Sequence, residues 1–239
     1  MSCRVSKYRC VAVPFGRLRR SKRIFLPRHQ HPHGYATLVL AGGFEETGDR
    51  GRFRVRAGDI LLHEAFESHL DRCGPRDSEV LNLGPVCFVE PFSVVMQVAD
   101  PDSIARLAER SPQEALELLL GIMRPSNRAE SDWPDQLAEA LQCDPHLALH
   151  DWARTHNLSD ATVSRGFEKV YGISPSGYRA QCKARLAWRG SVKGSEPFPA
   201  LALDSGFSDQ AHMTRGVRAL TGKTPGVWRR IGQVDSRQG

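Results

Sequence analysis

Along this 239-residue chain the spacing of hydrophobic residues changes twice. In the first hundred residues apolar and polar positions alternate, most cleanly in Arg52-Phe53-Arg54-Val55-Arg56, which has the period of two of a half-buried strand. Tyr35–Leu40 and Ala57–Leu62 add further short apolar runs, and Gly42, Gly51 and Gly58 punctuate them, so this part predicts an antiparallel sheet or barrel. From residue 101 the spacing becomes helical. Ile104, Leu107 and Ala108, then Ala115, Leu116, Leu118, Leu119 and Ile122, predict two helices with Pro112 near the start of the second. Leu116, Leu119, Leu120 and Met123 offer enough apolar surface either to cover the domain's own core or to pair with a second copy, and the second use is favoured. Residues 124–132 (RPSNRAESD) are polar and predict a hinge, followed by a linker helix from Trp133 to Leu141.

The last third carries one pattern twice. Ser159–Pro175 (SDATVSRGFEKVYGISP) and Ser208–Pro225 (SDQAHMTRGVRALTGKTP) share Ser-Asp, Arg-Gly and Gly-x-Ser/Thr-Pro in that order. Ser159 and Ser208 each follow an alanine, Ala153 and Ala202, by six residues, whereas Arg165 and Arg215 differ by one in their distance from it, which makes a repeat with one insertion. Each copy predicts a short helix, a turn and a second helix capped by Ser159 or Ser208, with Val163, Phe167 and Val170, or Met213, Val217 and Leu220, facing inward. A connector helix from Ser176 to about Arg189, with Tyr178, Cys182 and Leu186 inward, would join the copies.

Residues 145–230 resemble the tandem helix-turn-helix domain of the AraC/XylS family of transcription regulators. The matching pieces are Arg165-x-Phe167, Lys169, Gly172-x-Ser174-Pro175-x-x-Tyr178, Ala202-x-x-x-Gly206-Phe207-Ser208-Asp209-Gln210, His212, Arg215, Gly222-x-Thr224-Pro225 and Trp228-Arg229. The chain departs from that family at Met213 and Val217, where Phe is usual, and at Gly190-Ser191, where a Leu-Leu pair is usual. Glycine inside a recognition helix, at Gly166 and Gly216, costs about 1 kcal/mol against alanine. The resemblance implies double-stranded DNA as partner, with RNA polymerase as a further candidate. Asp160, Thr162, Ser164, Gln210, His212 and Arg215 lie on the first turns of the two recognition helices and are the candidates for base edges; Arg165 and Lys169 are assigned to phosphate. Charge points the same way. From Cys143 onward the chain has 14 Lys/Arg against 8 Asp/Glu, while residues 1–142 hold 19 of each, so the whole net charge of +6 lies in the repeated region.

The chemistry of the first domain is a histidine constellation: His29, His31 and His33 alternate, and His63 and His69 follow. Residues two apart on a strand share a face, so the first three could converge, though Pro32 suggests a strand entrance or edge. The arrangement resembles a cupin barrel, with His31-x-His33 in the place of the first motif's pair and Gly58-Asp59 followed by His69 in the place of the second. Thr37 stands where the first motif normally has a carboxylate. Three neutral imidazoles, His31, His33 and His69, would suit a divalent transition metal. A small organic effector held without metal is the competing reading, with no ligand as the third.

Six cysteines without CxxC spacing favour reduced thiols and a cytoplasmic protein, although Cys73 and Cys87 could form a redox pair. No apolar run approaches the roughly 20 residues that cross a bilayer, so no membrane partner is expected. Residues 1–28 contain nine basic residues and no acidic one, part of which should pair into the sheet. The reading is therefore an α+β chain: an N-terminal cupin-like β-barrel sensing a small molecule or metal (1–100), a helical dimerisation or linker segment (101–142) and a C-terminal all-α double helix-turn-helix (143–232), acting as a homodimeric, non-enzymatic regulator. The alternative is a metal-dependent cupin enzyme fused to an autoregulatory DNA-binding domain, for which only Glu64, Glu67 and the histidines could serve as acid or base.

Overall fold

The computed structural model describes residues 10–86, 94–126 and 131–235, which fall into two compact units, from Cys10 to Asp135 and from Gln136 onward. The first contains β1 (Gly16–Arg20), β2 (Phe25–Gln30), β3 (Gly34–Ala41), β4 (Gly43–Gly48), β5 (Gly51–Arg56), β6 (Asp59–His63), β7 (Ser68–Cys73), β8 (Ser78–Val86), β9 (Val95–Gln97), α1 (Pro101–Ala108), α2 (Pro112–Ile122) and a two-residue strand β10 (Arg124–Pro125). The strands make a six-stranded sheet, β1-β8-β3-β6-β9-β10, and a four-stranded sheet, β2-β7-β4-β5, all antiparallel. The expected barrel is thus a two-sheet sandwich that does not close into a ring. The break comes where the chain leaves β3 at Gly42 (φ 69°), because β4 then pairs with β5 and β7 in the other sheet. A side chain at Gly42 would collide with the Asp77 backbone, so the crossing needs glycine in both respects.

The six-stranded sheet is buried on both faces, which explains why β3 and β6 read as nearly continuous apolar runs. Ala36, Leu38, Ile60, Leu62, Leu81 and Leu83 face α1 and α2, which contribute Ile104, Ala105, Ala115, Leu116 and Leu119 to one core. Val39, Leu61 and Val80 turn the other way and meet Phe44, Phe53 and Val55 of the four-stranded sheet. Helices α1 and α2 therefore cover their own domain's core, leaving Leu118 and Ile122 exposed. The start of the segment expected as a hinge, 124–132, is instead held in the sheet, since Arg124 and Pro125 pair with Gln97 and Met96; residues 127–130 and Cys87 lie outside the described residues. In β1, Arg17, Arg19 and Arg20 form ion pairs with Glu79, Asp77 and Asp71, so this part of the basic segment is a sheet edge with its charges matched.

The second unit is helical: α3 (Trp133–Cys143, from Gln136 onward), α4 (Leu149–Thr155), α5 (Asp160–Tyr171), α6 (Pro175–Lys193), α7 (Phe198–Asp204), α8 (Gln210–Thr221) and α9 (Pro225–Asp235). Ser159 and Ser174 cap α5 and α6 by accepting from Thr162 N and Gly177 N, and Gly172 and Gly222 end α5 and α8 in the left-handed region. The cap of α8 is Asp209, which accepts from His212 N, while Ser208 Oγ donates to the Asp209 carboxylate and meets the His212 ring. This places the one-residue insertion in the loop before α8. From the caps onward the two copies run in register at an offset of 50, Ser159 with Asp209, Arg165 with Arg215 and Gly172 with Gly222. In α6 the buried positions are Tyr178, Gln181, Ala184, Arg185, Ala187 and Ser191, and Leu186 is exposed. Polar residues, among them Gln181 and Arg185, occupy that inward stripe and hide its phase from a hydrophobic pattern.

Candidate functional site

Helices α5 and α8 are second helices of two helix-turn-helix units, each pinned by an apolar stripe, Val163, Phe167 and Tyr171 in one and Met213, Val217 and Leu220 in the other. Phe167, Tyr171 and Tyr178 stack and cross with ring centroids 4.5–5.4 Å apart, an aromatic anchor for the first copy. Opposite these stripes Asp160, Thr162, Ser164, Arg165 and Lys169, and Gln210, His212 and Arg215, are all exposed. They are not equivalent. Asp160 is paired with His150 of α4 at 3.0 Å, and the Thr162 hydroxyl is tied to Ser159 Oγ at 2.8 Å. His212 Nδ1 lies 3.2 Å from Ser208 Oγ, with its ring edge-on to Phe207. Gly216 sits over the Phe207 ring, where a Cβ would come within 3.0 Å, so this helical glycine has a packing role.

The polar half of the sandwich interior is a second candidate site. Strand register builds it: His29 of β2 pairs with His69 of β7, Glu46 of β4 with Asp71 of β7, and Tyr35 of β3 with His63 of β6. Gly48 lies opposite His69, and its lack of a side chain leaves room for the His69 Cβ, which a Cβ there would approach to 3.0 Å. His31 joins from the turn after β2, its carbonyl accepting from Phe66 N at 2.8 Å. One donor atom each from His29, His31 and His69 lies within 4.8 Å of the others, and the same holds for Glu46, His63 and His69. His33 is exposed and belongs to neither group, because the strand ends at Gln30 and the alternation does not continue through Pro32. Thr37, in the place of the cupin carboxylate, donates to Asn82 Oδ1; the carboxylate beside the histidines is Glu46, with Oε2 3.7 Å from His63 Nε2.

Burial dominates the electrostatics here. It depresses His31 to about 4, and it holds His63 and His69 well below the ordinary histidine value, with the neighbouring imidazoles adding to the shift. These three rings are therefore neutral near pH 7 and each keeps a lone pair. Burial, then the Asp71 and Glu67 charges, pushes the Glu46 carboxyl well up, whereas Arg20, 2.8 Å from Asp71, limits the rise at its partner. Nδ1 of His31 is 2.7 Å from the Val11 carbonyl and Nδ1 of His29 is 2.8 Å from the Pro27 carbonyl, so both nitrogens carry the proton and leave Nε2 as the acceptor. The buried Nδ1 atoms of His63 and His69 have no hydrogen-bond partner among the described residues. Neutral imidazoles with fixed tautomers and an orphaned ring nitrogen fit a transition-metal ion. Glu46, Tyr35, Asp71 and Arg20 were not singled out by sequence reasoning; Glu46 and Gly48, two apart on one strand face, were the available signal.

Residues 152–231 match the family described as Helix-turn-helix domain. The virulence regulon transcriptional activator VirF of Yersinia enterocolitica is 23% identical over 198 residues, covering 79% of this chain and 69% of that protein, and the thermoregulatory protein LcrF of Yersinia pestis matches to the same extent. Among solved structures, unsaturated-fatty-acid-bound ToxT of Vibrio cholerae is similar over 90% of this chain and 93% of its own at 8% identity, with a TM-score of 0.42, too low to bear on function. No helix among the described residues is long and apolar enough to cross a membrane. The family match is confined to the C-terminal third of the chain, whose helices form the helix-turn-helix domain that it describes.

Proposed function

We propose that α5 and α8 read two successive major-groove segments on one face of double-stranded DNA, and that the first unit senses a small effector in its polar interior. The observation that carries the DNA reading is the pair of equal-length, in-register helices presenting Ser164, Arg165 and Lys169, and Gln210, His212 and Arg215, to solvent within the basic region of the chain. Asp160 and Thr162 contribute less to base readout, being held by His150 and Ser159. The effector reading rests on buried histidines, carboxylates and Tyr35 gathered in one half of a sandwich whose other half is apolar. Effector binding shifts DNA affinity as a coupling between separate sites. The functional division runs 1–100 for sensing, 101–142 for linkage and pairing of two copies, and 143–232 for DNA, in a cytoplasmic regulator that acts on RNA polymerase. The test is a fragment starting at Gln136: it should bind DNA with an affinity that falls steeply with salt and show no effector response. A fragment that does not bind, or one that keeps the response, contradicts the division.

A further inference from the structure

We infer that the interior of the first unit binds one divalent transition-metal ion of the zinc type on His29, His31 and His69, which rests on the reading of that interior as the effector site and names its ligand class. Three observations carry this. The donor atoms already lie within 4.8 Å of one another, so an ion with ligand bonds near 2.1 Å is reached by small side-chain adjustments. Two of the rings, His29 and His31, have Nδ1–H committed to backbone carbonyls at 2.8 and 2.7 Å, which presents Nε2 as a lone pair and is how ligating histidines are oriented. His69 is buried with an Nδ1 that has no partner among the described residues, and its Nε2 lies 3.4 Å from the Tyr35 hydroxyl, which can accept the ring proton and leave Nδ1 as the donor to the ion.

The set differs from the pattern that motif spacing implies. His33 is replaced by His29, because strand pairing sets His29 directly against His69. The nearest carboxylate comes from β4, Glu46, and not from β3, where Thr37 is engaged with Asn82. Glu46 and His63 form a second trio with His69, but Glu46 pairs in register with Asp71 and the His63 ring stacks on Tyr35 at 4.2 Å, so these two are held by neighbours other than an ion. An all-imidazole set favours zinc-type ions over calcium or magnesium, which take oxygen ligands. With three protein ligands the ion keeps an open position for water or an anionic group.

The test is equilibrium dialysis of the untagged full chain against Zn(II), with Co(II) as a spectroscopic probe, with the far-UV circular dichroism and urea unfolding of each variant as the check that its first unit folds, and with DNA binding measured alongside. The expected result is about one equivalent of zinc and visible Co(II) bands of a low-coordinate nitrogen site. Both are lost in His31→Ala and His69→Ala and kept in His33→Ala and His63→Ala. No zinc retained by the native chain overturns the inference, as does equal loss in His33→Ala, or loss in His63→Ala with retention in His31→Ala. If zinc binds as described but no variant and no native chain binds DNA, the regulator reading fails while the metal site stands.

Discussion

Gly232 should tolerate no side chain, although helix propensity alone says that it would welcome one. It lies inside α9, where glycine to alanine normally gains about 1 kcal/mol. A Cβ at Gly232 would meet the Val192 carbonyl of α6 well inside contact distance, with the carbonyl carbon at 3.0 Å and Cγ1 at 3.2 Å. The obstacle is backbone, so relief requires α6 and α9 to separate by roughly 1 Å, since carbon contacts are optimal near 3.5–4.0 Å. The same interface holds the Trp188–Trp228 edge-to-face pair, centroids 5.9 Å apart. Overpacking costs about 1–3 kcal/mol, and a backbone obstacle puts this site in the upper part of that range, so after the propensity gain Gly232→Ala should lose about 1–2 kcal/mol net. Gly226, in the same helix, would bring its Cβ no closer than 4.0 Å to Phe198 and provides the control, where alanine should be neutral or stabilising. Three of the four tryptophans, Trp152, Trp188 and Trp228, lie in this unit, and Trp188 and Trp228 lie at the interface itself, so urea unfolding followed by tryptophan fluorescence reports chiefly on this unit. A Gly232→Ala midpoint at or above that of the parent, with Gly226→Ala behaving as expected, would refute the close-approach argument.

Removing the second cap by Asp209→Ala should cost about 1 kcal/mol in the same unfolding assay and weaken DNA binding through α8, whereas Ser208→Ala should cost less; the reverse order contradicts the assignment of the cap. The first unit should lose stability in acid. Because burial holds His31 at about 4 against an ordinary 6.5, the unfolded chain takes up this proton first as pH falls. The stability is complete above about 6.5 and drains toward 4, amounting to about 2 kcal/mol by pH 5. Glu46 and Asp71, whose values are raised, act in the opposite sense, so His31→Asn isolates the imidazole. In chelator, its unfolding midpoint should depend less on pH between 7.5 and 5 than that of the parent; an equal or steeper dependence rules the assignment out.

Much of the architecture was legible because local rules agree with tertiary ones. The period of two in β5, the glycines at Gly42, Gly51 and Gly58 with positive φ, and the duplicated cap, Arg-Gly and Gly-x-Ser/Thr-Pro pattern all survive as elements. Three features were not legible. A hydrophobic pattern cannot show that α1 and α2 cover a sheet of their own unit, since a stripe that seals a core and one that pairs two copies look alike. The inward phase of α6 was misjudged at Leu186 because Gln181 and Arg185 carry the buried stripe. The interior cluster depends on which strands pair: Glu46 reads as one of two acids in a glycine-rich bend until β4 is placed beside β7, and His33 reads as a partner of His31 until β2 ends at Gln30.

The account is tested most directly by selecting binding sites for the full chain from a random DNA library, for the parent and for Arg215→Ala and Lys169→Ala. The account predicts enrichment of two short segments centred about 10 base pairs apart, one helical turn. Arg215→Ala should relax preference in one segment only, a loss of about 1–3 kcal/mol, while Lys169→Ala weakens all sequences alike and lowers the salt slope by about 1. No enrichment, or a single continuous segment unchanged by Arg215→Ala, would contradict the claim that α5 and α8 are two reading heads.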